Sequence, residues 1–354
     1  MKKMKKKLFL SLTVMLLAQS VWANDPPAGG ERLFLLGHPG FISGAMSSSG
    51  GGVFAPEVAG SHVMGINPAL AAGVQRFSID AAYTGLVGTG GYGNAFYAGA
   101  LFPSRYGVFS GSVQGAFLPL DAMNLGNTLL ARAGFSRDVT ERLFVGASLY
   151  GGGAFSRSGG AFSDAKDDDW ALGLDAGFVY SLGNLAFLKN ARYSVVIRNM
   201  GKNFIDDGKN FYPGILTPAA GFAAVFVDKA AFTAGFSADV SVPFFQNLVF
   251  SVGLQAKIAR FIMVSAGWDI NLREMMKLKS DGVHLPLVGI GVQFAGDMSK
   301  SGFMSRQGWQ KTDFDISGVW QQLNDKIQLF SVGVTANFGV QDKEAPIIQI
   351  GDEE

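Results

Sequence analysis

The residues from Lys229 to Leu272 constrain the fold most, because apolar and polar side chains alternate there over three consecutive runs. The apolar sets are Phe232, Ala234, Phe236, Ala238 and Val240, then Leu248, Phe250, Val252 and Leu254, then Ile262, Val264, Ala266, Trp268 and Ile270. Successive side chains of a strand point to opposite faces, so each run predicts a strand with one apolar face. The other face carries Gly, Ser, Thr and scattered Asp instead of Lys and Glu, which favours a barrel wall with lipid outside and a wet lumen inside.

The bulk composition agrees with a chain that places its apolar residues on strands. The chain has 354 residues, enough for one large barrel or two ordinary domains. Mean hydropathy is high at +0.23, yet no apolar run of 18 residues follows the N-terminal region, so a membrane helix is not predicted. There is no Cys, which excludes disulfides, thiolate metal sites and a lipid-anchored N-terminal Cys.

The N-terminus predicts export. Five Lys residues among the first seven positions precede an apolar core at 8–18 and the small-residue end Val21-Trp22-Ala23. This order is typical of a secretory signal peptide over residues 1–23, cleaved after Ala23, and the core is too short for a retained membrane anchor. Without those Lys residues the chain is mildly acidic and has no basic run, which argues against nucleic acid as a partner.

The remaining chain divides into three parts. Residues 24–75 are rich in Gly and Pro, so they predict compact irregular structure, either a floppy leader or a plug (hatch) folded inside the barrel. Residues 76–340 carry the alternating pattern of the wall. Residues 341–354 form a polar tail that we expect to be exposed.

We count fourteen strands in the wall, an even number that brings both ends of the chain to the same side. They are predicted at 76–88, 93–103, 106–117, 128–138, 141–153, 169–182, 189–199, 215–227, 229–242, 247–257, 260–272, 284–295, 311–322 and 326–339. Short turns alternate with the long connections 154–168, 200–214 and 273–283, as in an outer-membrane barrel. Two features do not fit: a longer turn at 185–189, and the segment 296–310 on the side of the short turns.

No motif in the sequence predicts catalysis, a cofactor or a metal site. The letters GTGGYG at 88–93 match a dinucleotide fingerprint, but a strand follows them and the next acid is Asp121, so they predict a hairpin. The acidic run 167–169 lacks the alternation and closing Glu of a calcium loop. The three histidines, His38, His62 and His284, have no metal-like spacing, and we expect His62 to be a plug contact.

Alternation turns two arginines into the lumen. Strand four directs Leu129 and Phe135 outward and hence Arg132 inward, and strand seven in the same way turns Arg198 inward. Two interpretations stay open for them. They belong to a network of ion pairs and waters, or one of them binds an anionic head group, since Arg pairs bidentately with carboxylates.

The long loops carry aromatic side chains that are unusual for solvated tips. Residues 154–170 contain Phe155 and Phe162, and residues 200–216 contain Phe204, Phe211 and Tyr212. Exposed aromatics mark an interaction surface, or they fold together as a lid over the barrel mouth. Either arrangement provides an apolar landing site for a greasy ligand.

The chain resembles the FadL-type outer-membrane transporters of hydrophobic compounds. The resemblance rests on the signal peptide, the Gly-rich plug, the Asn67-Pro68-Ala69 element just before strand one, and the fourteen strands; Gln75-Arg76 and Asn199-Met200-Gly201 look most like an uncharacterised spirochaetal branch. It implies an all-β fold: a 14-stranded antiparallel transmembrane β-barrel with an N-terminal plug in the lumen.

The resemblance also implies a function and a location. Long-chain fatty acids or other hydrophobic solutes would be captured by the loops 154–170 and 200–216 and released by plug movement through a lateral opening near Gly111. The protein would be no enzyme and would have no cofactor. It would lie in the outer membrane of a diderm bacterium, contact outer-membrane lipid and depend on the barrel assembly machinery. The alternative is a non-transporting barrel that acts as an adaptor or surface interaction protein, including a partner in protein export.

Overall fold

The computed structural model contains a closed antiparallel barrel. It describes residues 37–40, 50, 52–54, 60–88, 91–120, 123–155, 169–202, 216–245, 247–272, 275–276, 287–298, 300–324 and 327–339. Within these ranges fourteen strands follow one another around the barrel in chain order. The strands are β1 (Phe77–Gly88), β2 (Gly91–Ser104), β3 (Gly107–Leu120), β4 (Met123–Thr140), β5 (Leu143–Phe155), β6 (Asp169–Leu185), β7 (Leu188–Lys202), β8 (Thr217–Lys229), β9 (Phe232–Ser241), β10 (Val249–Ile258), β11 (Ile262–Asn271), β12 (Leu287–Asp297), β13 (Lys311–Asn324) and β14 (Ile327–Phe338).

The barrel closes by pairing its first strand with its last. Phe77 lies opposite Phe338 and Gly88 opposite Ile327, in an uninterrupted antiparallel register. Every other strand pairs with its two neighbours in sequence, so each connection is a hairpin. The all-β class and the fourteen strands predicted from the alternation are therefore confirmed.

Two connections between strands are shorter than the sequence predicted. The turn at 185–189 is a tight hairpin, because β6 continues to Leu185 and β7 begins at Leu188. Ala186 has a φ of 53°, a left-handed conformation that a tight turn requires. The gap predicted at 118–127 is also mostly strand, since β3 extends to Leu120 and β4 begins at Met123 with a register shift at Leu118/Pro119. Alternation is hidden there because Pro119 and Gly126 interrupt it.

The two faces of the wall differ in chemistry, as the period of two requires. On β1 the outward Tyr83 is 56% exposed, whereas the inward Asp80 is 1% exposed. Exposed apolar side chains continue around the outer face: Phe96, Phe102, Phe109, Val113, Leu129, Leu149, Ile197, Phe250, Leu254, Ile290 and Val332. Buried polar side chains face inward: Ser78, Thr84, Ser136, Ser148, Ser194, Ser237, Asp239, Ser251, Asp315 and Ser331. In the described part of the chain, no helix has the length and apolar character needed to cross a membrane.

The segment between β12 and β13, which the sequence left unexplained, contains a short helix. Helix α1 (Gly302–Arg306) begins after Ser301, whose side chain accepts a hydrogen bond from the backbone N of Met304. The chain then brings Trp309 onto the barrel seam, where its ring stacks on Phe77 at 5.1 Å and lies 5.4 Å from Phe338. This connection therefore covers the end at which the first and last strands meet.

Candidate functional site

Residues Gly60 to Gln75, here named the inner segment, lie inside the barrel. Two 3₁₀ helices, Ser61–Gly65 and Pro68–Gly73, make up most of it, and all residues from Gly60 to Ala72 are buried. Its apolar side chains pack with inward residues of the wall in one cluster: Val63, Ile66, Ala69, Leu70, Ala71, Val74, Tyr97, Leu101, Val108 and Val179. The segment is therefore packed as a protein core is, against the first six strands.

Inward glycines create the surface on which the inner segment rests. An added Cβ at Gly134 on β4, Gly146 on β5 or Gly177 on β6 would lie less than 3 Å from an atom of the inner segment. At Gly146 the nearest atoms are backbone atoms of Pro68 and Ala69, which cannot rotate away. Gly is required at this position because the backbone of the segment approaches the wall so closely.

Asn67 joins the inner segment to β6 and β7. Its side-chain oxygen accepts a hydrogen bond from the backbone N of Ala69 at 3.1 Å, so it caps the second 3₁₀ helix, and Pro68 occupies the first helical position. Its side-chain nitrogen donates to the carbonyl oxygens of Phe178 and Val195, both at 3.4 Å. The element Asn67-Pro68-Ala69, which the sequence singled out, thus contacts the wall directly.

A second polar contact connects the inner segment to β1. Asp80 Oδ2 accepts hydrogen bonds from Ser61 Oγ at 2.8 Å and from the backbone N of His62 at 3.0 Å, and it lies 3.2 Å from His62 Nδ1. His38 stacks on His62 with ring centroids 4.1 Å apart. Burial and the neighbouring His62 lower the pKa of His38 well below its ordinary value. The sequence expected His62 to be a contact but did not reveal Asp80 and His38 beside it, because the three residues are far apart in the chain.

A short stretch upstream of the inner segment is anchored to β7 and to β10. Arg192 on β7 donates hydrogen bonds to the carbonyl oxygens of Gly50 and Gly52. Gln255 on β10 accepts hydrogen bonds from the backbone N of Val53 at 2.6 Å and of Phe54 at 3.4 Å. The chain inside the barrel therefore reaches across the lumen.

A cavity of about 70 Å³ remains between these inner residues and the wall formed by β10 to β14. His38, His62 and Ile66 border it on the inner side, whereas Gly291 and Asp315 border it on the wall side. Its volume exceeds several-fold the roughly 10–15 Å³ that one water molecule needs. Among the residues that the structure describes, the lumen is thus packed along β1 to β6, the packed side, and contains a cavity along β10 to β14, the open side.

The two arginines predicted to face the lumen do so. Arg132 forms an ion pair with Asp175, donates a hydrogen bond to Ser148 Oγ at 3.2 Å and lies over the ring of Tyr150 at 4.8 Å. Arg198 is 7% exposed. The register predicted from alternation is therefore correct at both positions, and Arg132 already has a carboxylate partner in the wall.

The structure places the other predicted residues as follows. Phe155 ends β5 and is 50% exposed. Gly111 faces outward on β3, opposite Ala100 and Ala133, in ladders whose register is regular at this point. The other four predicted aromatic residues lie outside the described residues: Phe162, Phe204, Phe211 and Tyr212. The predicted signal peptide and the polar tail also lie outside them.

Comparisons with known proteins return distant likenesses. No family model and no curated protein matches this chain. Among solved structures, the CymD monoaromatic hydrocarbon channel is 13% identical with a TM-score of 0.47, over 88% of this chain and 99% of that one. The Ralstonia pickettii toluene transporter TbuX is 11% identical with a TM-score of 0.46, over 79% and 94% of the two chains.

A third solved structure, the Pseudomonas putida toluene transporter TodX, is 11% identical with a TM-score of 0.43, over 84% of this chain and 98% of that one. At such distances these likenesses carry neither a substrate nor a mechanism over to this chain.

Proposed function

We propose that the protein is a passive outer-membrane channel for hydrophobic solutes, long-chain fatty acids included. In this proposal residues 1–23 are a cleaved signal peptide, residues 24–75 form a plug, residues 76–340 form the transmembrane wall and residues 341–354 form a polar tail. The barrel would be inserted by the barrel assembly machinery and surrounded by outer-membrane lipid.

The observation that carries the proposal is an apolar outer face around a lumen that is packed on one side and open on the other. Strands of 10 to 18 residues match or exceed the roughly 9–11 residues that a tilted strand needs to cross a bilayer. Exposed Phe, Leu and Val side chains over the whole circumference have no protein layer against them among the described residues. A barrel in lipid requires this arrangement, whereas a barrel in water would expose a large apolar surface.

We assign capture of the solute to the loops 154–170 and 200–216, at the end of the barrel where Phe155 and Trp170 are exposed. Arg132 and Arg198 are the proposed ligands of an anionic head group. Because Asp175 already pairs with Arg132, a fatty-acid carboxylate would bind Arg132 only by displacing the carboxylate of Asp175. Arg132 would therefore contribute more to selectivity than to affinity.

Release is proposed to follow movement of the plug, with a lateral exit beside Gly111. Both ladders of β3 are regular at Gly111, so an exit there requires β3 to separate from a neighbour over several residues. The cavity bordered by Gly291 and Asp315, about 70 Å³ in volume, would have to widen to hold the solute before this separation, since ligand pockets measure roughly 300–1,000 Å³.

Deletion of residues 44–75 tests the plug. The variant, inserted in planar bilayers, should conduct small ions at several times the level of the full chain, because the packed side of the lumen is emptied. Barrel formation is checked by the heat-dependent electrophoretic mobility of the folded protein. Unchanged conductance of a folded variant would reject the plug.

Replacement of Arg132 and of Arg198 by Ala tests the head-group role. Both variants should bind a fluorescent fatty acid more weakly, whereas Arg76→Ala serves as the control because Arg76 pairs with Asp313 at the start of β13, away from Arg132 and Arg198. Equal affinity in all three variants would reject the role. Native mass spectrometry of the detergent-purified chain separates the two functions, since a non-transporting adaptor retains no hydrophobic ligand.

A further inference from the structure

We propose that His38, His62 and Asp80 bind one divalent transition-metal ion, with Zn²⁺ as the fitting ion, and that this ion ties the inner part of the chain to the barrel wall. The proposal concerns how the lumen is held and does not depend on which solute passes. Two of the ligands come from the chain inside the barrel, and the third comes from β1.

Three donors from separate parts of the sequence meet at this point. All three residues are buried, with exposures of 1% for His38, 5% for His62 and 1% for Asp80. One donor atom from each lies within 4.8 Å of the other two. A tetrahedral zinc site with bonds of about 2.0–2.2 Å places its ligand atoms roughly 3.4 Å apart, so binding requires a contraction of at most about 1.4 Å at the widest pair. Rotation of one stacked imidazole provides this movement.

Two local features bear on how an ion could bind. His38 Nδ1 accepts a hydrogen bond from the backbone N of Gly40 at 2.9 Å, so coordination through Nε2 leaves that bond intact. Asp80 Oδ1 is buried and accepts no hydrogen bond from any residue that the structure describes. A carboxylate oxygen in that state is costly to bury, and coordination of a cation removes the cost.

The donor set selects the class of metal. Two imidazoles and one carboxylate suit Zn²⁺ and its neighbours in the first transition row, whereas Ca²⁺ and Mg²⁺ prefer sites made of oxygen alone. Three protein ligands leave one position of a tetrahedron open. The cavity that His38 and His62 border is large enough to supply a water molecule there.

The contacts already present fit the outer shell of a metal site. Ser61 Oγ donates to Asp80 Oδ2 and lies 2.9 Å from the hydroxyl of Tyr97, so the carboxylate is oriented by a short chain of hydroxyl groups. Partners of this kind fix the direction of a ligating group. Because Ser61 and His62 belong to the same 3₁₀ helix, an ion bound here would oppose any displacement of that helix from β1.

The composition offers few competing metal ligands, so a titration with Co²⁺ can report on this site. The chain has no Cys and three His residues in all, so His284 is the one further imidazole. The full-length protein in detergent micelles is stripped with EDTA and titrated with Co²⁺, whose visible absorption reports tetrahedral coordination. We expect one equivalent to bind, to be displaced by Zn²⁺, and to weaken at least about 100-fold in His38→Gln and Asp80→Asn, since loss of an outer-shell partner alone costs about 10–100-fold. The matched control His284→Gln should bind as the wild type does.

Folding of each variant is checked by heat-dependent mobility, and X-ray absorption of the Zn²⁺-loaded wild type needs no variant at all. The spectrum should show two imidazole ligands on the zinc ion. A shell of oxygens without imidazole, binding that survives in a folded His38→Gln/His62→Gln double variant, or no stoichiometric Co²⁺ band would each overturn the proposal and leave a purely hydrogen-bonded cluster.

Discussion

The two sides of the lumen use inward glycines for opposite purposes. On β4 to β6, Gly134, Gly146 and Gly177 lie against the inner segment, so the missing side chains are replaced by Met64, Pro68, Ala69 and Asn67. On β12, Gly289 and Gly291 border the cavity, and the nearest neighbours of an added Cβ are the side chains of Ser265 and Met263. At Gly146 the space is filled by backbone atoms of the inner segment, whereas at Gly291 it is bordered by a side chain that can move.

The packed side is constrained by steric contact between the wall and the inner segment, not by the pairing of its strands. Both sides contain antiparallel ladders without a register shift, β5 with β6 on the packed side and β12 with β13 on the open side, and both have a polar inner face. A backbone that approaches a wall cannot yield without moving a whole helix, whereas Met263 can adopt another rotamer. The proposed plug role would therefore depend on the packed side, and the proposed passage of a solute would depend on the open side.

The largest effect is expected for Gly146→Ala. Its Cβ meets the backbone of Pro68 and Ala69, so the inner segment must shift, at a cost of about 3 kcal/mol, the upper end of the range for overpacking. Hydrogen exchange of residues 60–75 should accelerate sharply while exchange in β10 to β13 stays slow. Uniform acceleration of exchange over the whole barrel, or no acceleration at all, would contradict a specific contact between Gly146 and the inner segment.

Sequence alone predicts the wall well and the packed side poorly. The alternation through Phe232–Val240 and its neighbours has a fixed period, so it determines the strands and turns Arg132 and Arg198 inward. The contact surface for the inner segment, formed by the inward glycines of β4 to β6, follows no sequence period. Gly makes up 48 of 354 residues, so alternation can separate inward from outward glycines, but nothing in the chain marks Gly146 as the inward glycine that touches the backbone of the inner segment. Likewise, Asp80 meets His38 and His62 only once the barrel has closed.

A smaller loss is expected from Asn67→Ala. The change removes the cap on Ala69 and the two donations to Phe178 and Val195, which should cost about 2 kcal/mol, because buried backbone groups lose their partner. Asn67→Ser is the informative companion, since it keeps a neutral capping oxygen and loses the two donations. Urea unfolding of the inner segment, monitored by its proteolysis, should rank the variants wild type, Ser, Ala in decreasing stability; the reverse order would assign the effect to something other than these bonds.

Gln255→Ala tests the anchor across the lumen and should cost about 1 kcal/mol, as for one ordinary hydrogen-bonding side chain. The backbone N of Val53 and of Phe54 lose their acceptor, so their amide exchange should increase while that of Ser61–Gly65 is unaffected. Gln255→Glu keeps an acceptor and should restore slow exchange at Val53. If exchange of both stretches rises together, the two anchors form one cooperative unit and the distinction between the sides is weaker than proposed.

The smallest effect on stability is expected for Gly291→Ala, and it is the matched counterpart of Gly146→Ala. The new Cβ would lie 3.2 Å from the terminal carbon of Met263, a flexible group that can yield, so the free energy of unfolding should change by less than about 1 kcal/mol. Gly291→Leu should extend into the cavity and slow passage of a hydrophobic solute into liposomes, with the barrel still folded. Two glycines that face the same lumen would then separate packing from passage, because one variant loosens the inner segment and the other obstructs the open side. If Gly146→Ala and Gly291→Ala destabilised the barrel equally, backbone freedom at glycine, and not the contact with the inner segment, would explain both positions.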